Sequence, residues 1–190
     1  MEKIFEMTDL GVMKYFLGME VLQSSDGTFI CQQKYISDIL SRFKMQDCKP
    51  VSTPISAGVK LGKDEDSEKM DDSMYRSLIG SLLYLTAIRP DILFIVSFLS
   101  KFMHSSRDTR LTAAKRVLRY IKGTSKFGIF FPTSAEVTMN LIGYSDSDWG
   151  GGVDDSRSTS GYLFCLGTSC FSWSSRKQET KFNQQLKLST

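Results

Sequence analysis

Residues 109–122 place apolar and basic side chains on opposite faces of a predicted helix. Counted at about 100° per residue from Arg110, the apolar side chains fall between about −20° and 100°; they are Leu111, Ala114, Val117, Leu118 and Ile121. The basic side chains fall between about 120° and 240°; they are Lys115, Arg116, Arg119 and Lys122. A helix with one apolar face is stabilised chiefly by packing that face against the rest of the protein. The apolar face of this helix is therefore expected to be buried.

The basic face of this helix has two interpretations. A solvated outer face is the commonest fate of such a stripe. However, the four cations have no acidic residue among them, so they repel one another and lack a partner on their own helix. Contact with the phosphate backbone of a nucleic acid is the alternative. The sequence pattern leaves both interpretations open.

Further helices and strands are predicted along the chain. Apolar residues at helical spacing predict helices at 34–45, 74–88 and 91–103. Residues 15–32 predict a hairpin with its turn at Ser24-Ser-Asp-Gly27, and strands are predicted at 127–131 and 138–144. Residues 161–173 predict a second hairpin around Gly167-Thr-Ser169. The acidic run 55–72 predicts a solvated loop, and the polar tail 179–190 predicts loose order. This pattern of elements predicts an α+β fold.

Charge, cysteine and histidine content limit the function classes. The net charge of +3 is too small to identify a nucleic-acid binder by itself. The longest apolar stretch, 92–99, is about half of a bilayer span, so we expect no membrane partner. The four cysteines form no Cys-x-x-Cys pair, which favours reduced thiols in an intracellular protein, cytoplasmic or nuclear. The single histidine, His104, falls where a predicted helix should end, so we interpret it as a cap or surface group and not as a catalytic base.

The segment Gly143-Tyr-Ser-Asp-Ser-Asp-Trp-Gly-Gly151 is the one place where side chains with metal-binding chemistry cluster. Asp146 and Asp148 follow an apolar strand, and residues two apart in a strand point to the same face. Two carboxylates on one face could hold Mg²⁺, which prefers oxygen ligands. The alternative is a strand that ends in a turn, since Asp, Ser and Gly all favour turns.

A series of short motifs occurs in a fixed order along residues 1–178. They include Cys48-Lys-Pro-Val-Ser-Thr-Pro54, Tyr75-Arg-Ser-Leu-Ile-Gly80, Ala114-Lys-Arg-Val-Leu-Arg-Tyr120, Tyr144-Ser-Asp-Ser-Asp-Trp149 and Ser172-Trp-Ser-Ser-Arg-Lys-Gln178. In these motifs and in their order the chain resembles the Pol polyprotein of copia-type retrotransposons. The resemblance covers the end of the reverse transcriptase and the start of the ribonuclease H domain.

The resemblance implies an architecture, a cofactor and a partner. It implies a β-hairpin and a thumb-like helical region followed by a truncated ribonuclease H-like mixed sheet. The implied parts are the palm-end hairpin and first thumb helix (1–54), an acidic linker (55–73), thumb and connection helices (74–125), ribonuclease H-like strands (126–178) and a divergent tail (179–190). Asp146 corresponds to the first metal-binding aspartate of the ribonuclease H domain, whose cofactor is Mg²⁺. The implied partner is an RNA–DNA hybrid or other duplex, with no small-molecule substrate.

The match to the family also has gaps. The Tyr-x-Asp-Asp strand of the polymerase precedes Met7 in the family, and the helix with the second metal ligand follows Gln178. We therefore expect a fragment of a reverse transcriptase/ribonuclease H polyprotein that does not catalyse either reaction alone. Asp146 would be vestigial, and Mg²⁺ would not bind productively at Asp146 and Asp148. The alternatives are a sequence-independent nucleic-acid-binding module that binds duplex weakly through the basic helix face, or a relic without function.

Overall fold

The computed structural model describes residues 11–56, 71–133, 140–147 and 159–178. Within these ranges the chain forms four α-helices and two antiparallel sheets, which confirms the predicted α+β class. The strands are β1 (Tyr15–Phe16), β2 (Met19–Ser24), β3 (Gly27–Cys31), β4 (Gly128–Pro132), β5 (Leu141–Ser147), β6 (Thr159–Leu166) and β7 (Ser169–Lys177). The helices are α1 (Gln33–Arg42), α2 (Asp72–Leu85), α3 (Leu93–Ser100) and α4 (Asp108–Gly123). Most of the predicted acidic linker and the whole predicted tail lie outside the described residues.

The first sheet has the strand order β1-β2-β3-β4. Strands β2 and β3 form the predicted hairpin, with Ser24 opposite Gly27 across a two-residue turn. Strand β1 joins β2 through Leu17 and Gly18, whose φ angles of 47° and 74° suit the tight turn between strands of opposite direction. A side chain at position 27 is excluded because its Cβ would lie 2.2 Å from the Phe131 carbonyl oxygen of β4.

The partner of β4 differs from the sequence-based expectation. We grouped residues 126–131 with the C-terminal strands, but β4 pairs antiparallel with β3, with Phe29 opposite Phe130. The alternation of apolar residues identifies a strand and does not identify its neighbour. Helix α4 returns the chain to the first sheet, so β4 completes the hairpin sheet before the chain enters the second one.

The helices pack their apolar faces into one core. The predicted buried face of α4 is confirmed, since Leu111, Ala114, Val117, Leu118 and Ile121 are at most 1% exposed. Helix α4 also extends one residue beyond the predicted bounds at each end. The predicted helix at 91–103 is shorter, because Pro90–Ile92 forms a 3₁₀ turn before α3.

Two helices of the core are tied together by a buried tyrosine. The hydroxyl of Tyr75 in α2 donates a hydrogen bond to the Leu99 carbonyl oxygen of α3 over 3.0 Å. Burial raises the pKa of Tyr75 to about 12, so the side chain stays neutral and keeps this bond at physiological pH.

A buried cation joins the ends of α2 and α4. Arg89 is 2% exposed, and its guanidinium donates two hydrogen bonds to Asp91, over 2.8 and 2.7 Å. It also donates to the carbonyl and hydroxyl oxygens of Thr124, over 3.0 and 2.7 Å. Burial by itself would raise the pKa of Asp91, but the bonds from Arg89 and Tyr120 and the charge of Arg89 outweigh it and hold that pKa below its usual value. The guanidinium therefore stays paired despite its burial.

The second sheet has the order β5-β6-β7 and packs against the helical core through one face. The predicted hairpin is confirmed, with its turn at Gly167 and Thr168. The indole Nε1 of Trp173 in β7 donates a hydrogen bond to the Thr86 carbonyl oxygen at the end of α2 over 2.9 Å. The opposite face carries Tyr162, Phe164 and Leu166, and all three are exposed.

Candidate nucleic-acid interface

The four residues of the predicted basic face lie on the side of α4 that faces away from the core, whereas a fifth basic residue of this helix, Arg110, is buried. Lys115 is exposed, while Arg116, Arg119 and Lys122 are half-buried. The sequence pattern thus placed all four residues on the correct side. It did not predict what covers three of them.

A stretch of extended chain, residues 48–53, lies along this basic face. Arg116 donates from Nη2 to the Thr53 hydroxyl over 3.0 Å, and Arg119 donates from Nε to the Lys49 carbonyl oxygen over 2.8 Å. Lys122 donates from Nζ to the Cys48 carbonyl oxygen over 2.7 Å. We call residues 48–53 the strap. Helix α1 has already ended at Arg42, and Pro50, which has no backbone N–H, disfavours a new helix within the strap.

The strap orders the cations without neutralising them. Its three acceptors are two backbone carbonyls and a hydroxyl, and none of them carries a net charge. Within the described ranges, none of the four side chains of the basic face forms an ion pair with a carboxylate. The face therefore keeps four positive charges, three of which are held in fixed positions.

An open groove runs beside the exposed end of this face. It has a volume of about 380 Å³ and lies between residues 54–56 and α4. Its charged wall consists of Lys115, Arg116 and Arg119, and its apolar wall includes Ile55 and Ile95. The charged head groups are therefore reachable by an anion from solvent.

The predicted metal site is only partly within the described residues. Asp146 lies in β5 opposite Gly161 and is exposed, whereas Asp148 lies outside the described ranges. Asp146 lines a cleft of about 610 Å³ to which Asp91 also contributes, but the carboxylate of Asp91 is held by Arg89 and Tyr120. In the described part of the chain, no group of three His, Cys, Asp or Glu side chains could hold a metal ion. The side chains present there do not fit a two-metal centre.

Two features escaped the sequence analysis. Arg89 lies between the helices predicted at 74–88 and 91–103, and its burial as a cation was not predicted; the adjacent Asp91 was the available signal. The strap lies between the helix predicted at 34–45 and the acidic run at 55–72, and no signal in the sequence connects it to α4, because two of its three contacts use backbone carbonyls.

Comparison with known proteins identifies the chain. Residues 1–57 match the family described as reverse transcriptase (RNA-dependent DNA polymerase), which binds nucleic acid and uses a divalent metal. The chain is 42% identical over 175 residues to the retrovirus-related Pol polyprotein from transposon RE1 of Arabidopsis thaliana. It is 36% identical over 188 residues to the corresponding polyprotein from transposon TNT 1-94 of Nicotiana tabacum. The chain belongs to the family of copia-type retrotransposon Pol polyproteins.

The relatives differ greatly in length. The matches cover 92% of this chain but 12% of the RE1 polyprotein, and 94% of this chain but 14% of the TNT 1-94 polyprotein. An uncharacterized mitochondrial protein of Arabidopsis thaliana is 40% identical over 177 residues, which cover 93% of this chain and 72% of that protein. The chain thus corresponds to a short stretch of a retrotransposon polyprotein.

No solved structure gave a significant match to this chain. Among the described helices, none has the length and apolar character that crossing a membrane requires.

Proposed function

We propose that this stretch of the Pol polyprotein binds nucleic-acid duplexes without sequence preference, through the basic face of α4. The observation that carries the proposal is a set of four cations, three of which have neutral hydrogen-bond partners within the described residues, while the fourth, Lys115, is exposed. Binding phosphates would satisfy charges that the fold orders and leaves uncompensated.

The strap supports this function by fixing the geometry of the head groups. Long basic side chains lose conformational entropy when they bind a ligand, and that loss lowers affinity. Arg116, Arg119 and Lys122 are already held by hydrogen bonds, so part of this loss occurs on folding. Lys115 remains exposed and adds a fourth contact.

We further propose that the chain does not catalyse DNA synthesis or hybrid hydrolysis alone. Strands β5–β7 would represent ribonuclease H-like strands, and Asp146 would be a vestigial catalytic residue. Mg²⁺ prefers several oxygen ligands in near-octahedral geometry, and the described residues around Asp146 supply too few free carboxylates for that. The proposed location is intracellular, in the cytoplasm or the nucleus.

The experiment measures binding of a labelled RNA–DNA hybrid and of a B-form DNA duplex at several salt concentrations, with Mg²⁺ present. Four phosphate contacts predict a slope of log K against log salt of about −3 to −4 on the DNA duplex. Replacing Lys115 and Arg119 by Gln should reduce the magnitude of that slope by about two. The hybrid should be recovered intact after incubation.

The matched control replaces two exposed basic residues on other elements, Lys34 and Arg76, by Gln. This variant has the same net charge as the test variant but keeps the α4 face, so its slope should equal that of the unaltered chain. Equal slopes for the test variant and the unaltered chain would refute the assignment of the interface. Cleavage of the hybrid that disappears in Asp146→Asn would refute the absence of catalysis.

A further inference from the structure

Two cysteines of the second sheet face each other across neighbouring strands. Cys165 in β6 lies opposite Cys170 in β7, and their Sγ atoms are 2.8 Å apart, closer than two sulfur atoms in ordinary van der Waals contact. Both are free thiols. The register of the two strands shifts between Phe164 and Cys165, so the pair lies beside an irregularity of the hairpin. The short distance between the two sulfur atoms shows that the local backbone already brings these side chains together.

The surroundings of the pair favour reaction within the chain. Cys165 is buried, so its sulfur is shielded from a second protein molecule. Cys170 lines a cleft of about 560 Å³ between the two sheets, together with Phe29, Phe127 and Thr168. A small oxidant can reach Cys170 through this cleft, and the first sulfur atom that the oxidised Cys170 meets is that of Cys165.

The other two cysteines lack this arrangement. Cys31 is buried in β3, and its thiol lies 3.5 Å from the carboxylate of Glu20. Cys48 lies in the strap and is half-buried. In the described part of the chain, no hydrogen bond joins either of them to another cysteine, so they serve as internal controls.

We propose that Cys165 and Cys170 are a dithiol modification site, which a hydroperoxide converts to an intramolecular cross-strand disulfide. The thiolate of one cysteine attacks the peroxide oxygen, which gives a sulfenic acid and releases the alcohol, or water when the oxidant is hydrogen peroxide. The second thiol attacks the sulfenic sulfur, forms the S–S bond and releases water. The two thiols lose two electrons and two protons, and the peroxide O–O bond is reduced.

The kinetics of this site should be slow. Burial, together with the hydrogen bond and charge of Cys165, raises the pKa of Cys170 to about 11. Since the thiolate is the reactive form, the pair reacts with hydroperoxide more slowly than an ordinary exposed thiol does. The site therefore suits an accumulated, stable modification better than a fast sensor.

The disulfide would close a loop that contains only the β6–β7 turn. A short loop restricts the unfolded chain little, so the global stability should change little. The local effect should be larger, because the bond would prevent the end of the hairpin from opening. Backbone hydrogen exchange around Gly167 and Thr168 should slow in the oxidised chain.

The test treats the full chain with hydrogen peroxide, alkylates the remaining thiols and analyses tryptic peptides by mass spectrometry. Both cysteines fall in one peptide, residues 158–176, while Cys31 and Cys48 fall in others. We expect the 158–176 peptide to become lighter by two hydrogen atoms and to lose both alkylation sites. Prior reduction with dithiothreitol should restore both sites.

Two single-cysteine variants test whether the bond requires the proposed pair. In Cys165→Ser, Cys170 should remain alkylatable or be oxidised to higher acids, with no internal bond. Cys48→Ser should leave the bond formation unchanged. The proposal is overturned if both thiols of the 158–176 peptide stay alkylatable after Cys48 has been oxidised, or if the only disulfides found join two chains. The measurement on the unaltered chain decides the question even if a variant fails to fold.

Discussion

The helical core and the second sheet bury their apolar side chains to very different extents. Ile79, Leu82 and Leu85 of α2 have no exposed surface. In the second sheet, Leu141 is 67% exposed and Phe171 is 51% exposed. Burial of apolar surface is the main favourable contribution to folding, at about 25 cal/mol per Å². The difference indicates that the helical core closes on itself, whereas the second sheet gains stability chiefly through the one face that meets the helices.

The largest expected effect is the difference in the free energy of unfolding between a leucine truncation in the helical core and one in the second sheet. Leu82→Ala removes a side chain with no exposed surface and should lower the free energy of unfolding by about 2–5 kcal/mol. Leu166→Ala removes a side chain that is 39% exposed and should change it by about 0.5 kcal/mol. Urea unfolding followed by circular dichroism measures both. Similar losses for the two variants would show that the outer face of the sheet is buried in solution.

The next effect concerns the cation inside the helical region. Arg89→Met leaves Asp91 without its main partner, and the loss of one partner of a buried pair costs about 3–5 kcal/mol. Because the Asp91 side chain is 31% exposed, we expect the lower end, about 3 kcal/mol. Arg76→Met on the exposed side of α2 is the matched control and should change the free energy of unfolding by about 0.5 kcal/mol at most. If Arg89→Met and Arg76→Met lower the free energy of unfolding equally, the buried bonds of Arg89 add no stability beyond that of an exposed arginine.

The smallest effect tests the connection between the regions. Trp173→Phe keeps an aromatic ring but removes the hydrogen bond to Thr86, which should cost about 0.5–1.5 kcal/mol. Amide hydrogen exchange should already be faster in β6 and β7 than in α2, and the variant should widen that difference. Slower exchange in the second sheet than in α2 would show that the second sheet, and not the helical core, is the more stable region.

The sequence predicted the local elements well because local periodicity determines them. The helical spacing of apolar and basic residues in 109–122 predicted the ends of α4 to within one residue. It also predicted the five apolar residues of its buried face. The turn residues at Ser24–Gly27 and Gly167–Ser169 predicted both hairpins, because a short turn fixes how the two strands beside it pair.

The sequence did not predict contacts between distant segments. Strand β4 pairs with β3 from a position about a hundred residues later in the chain, and nothing in its pattern names that partner. The strap contacts α4 through backbone carbonyls, which every residue type possesses. The bonds from Arg89 to Thr124 likewise depend on how α2 and α4 are placed in space.

The backbone acceptors of the strap have a consequence for mutational drift. Any amino acid at positions 48 and 49 supplies the same carbonyl oxygens, so substitutions there leave the bonds to Lys122 and Arg119 available. Of the three acceptors, only the Thr53 hydroxyl depends on side-chain identity. A coding sequence that accumulates replacements in this stretch would therefore keep its basic surface ordered long after the identities of these residues have changed.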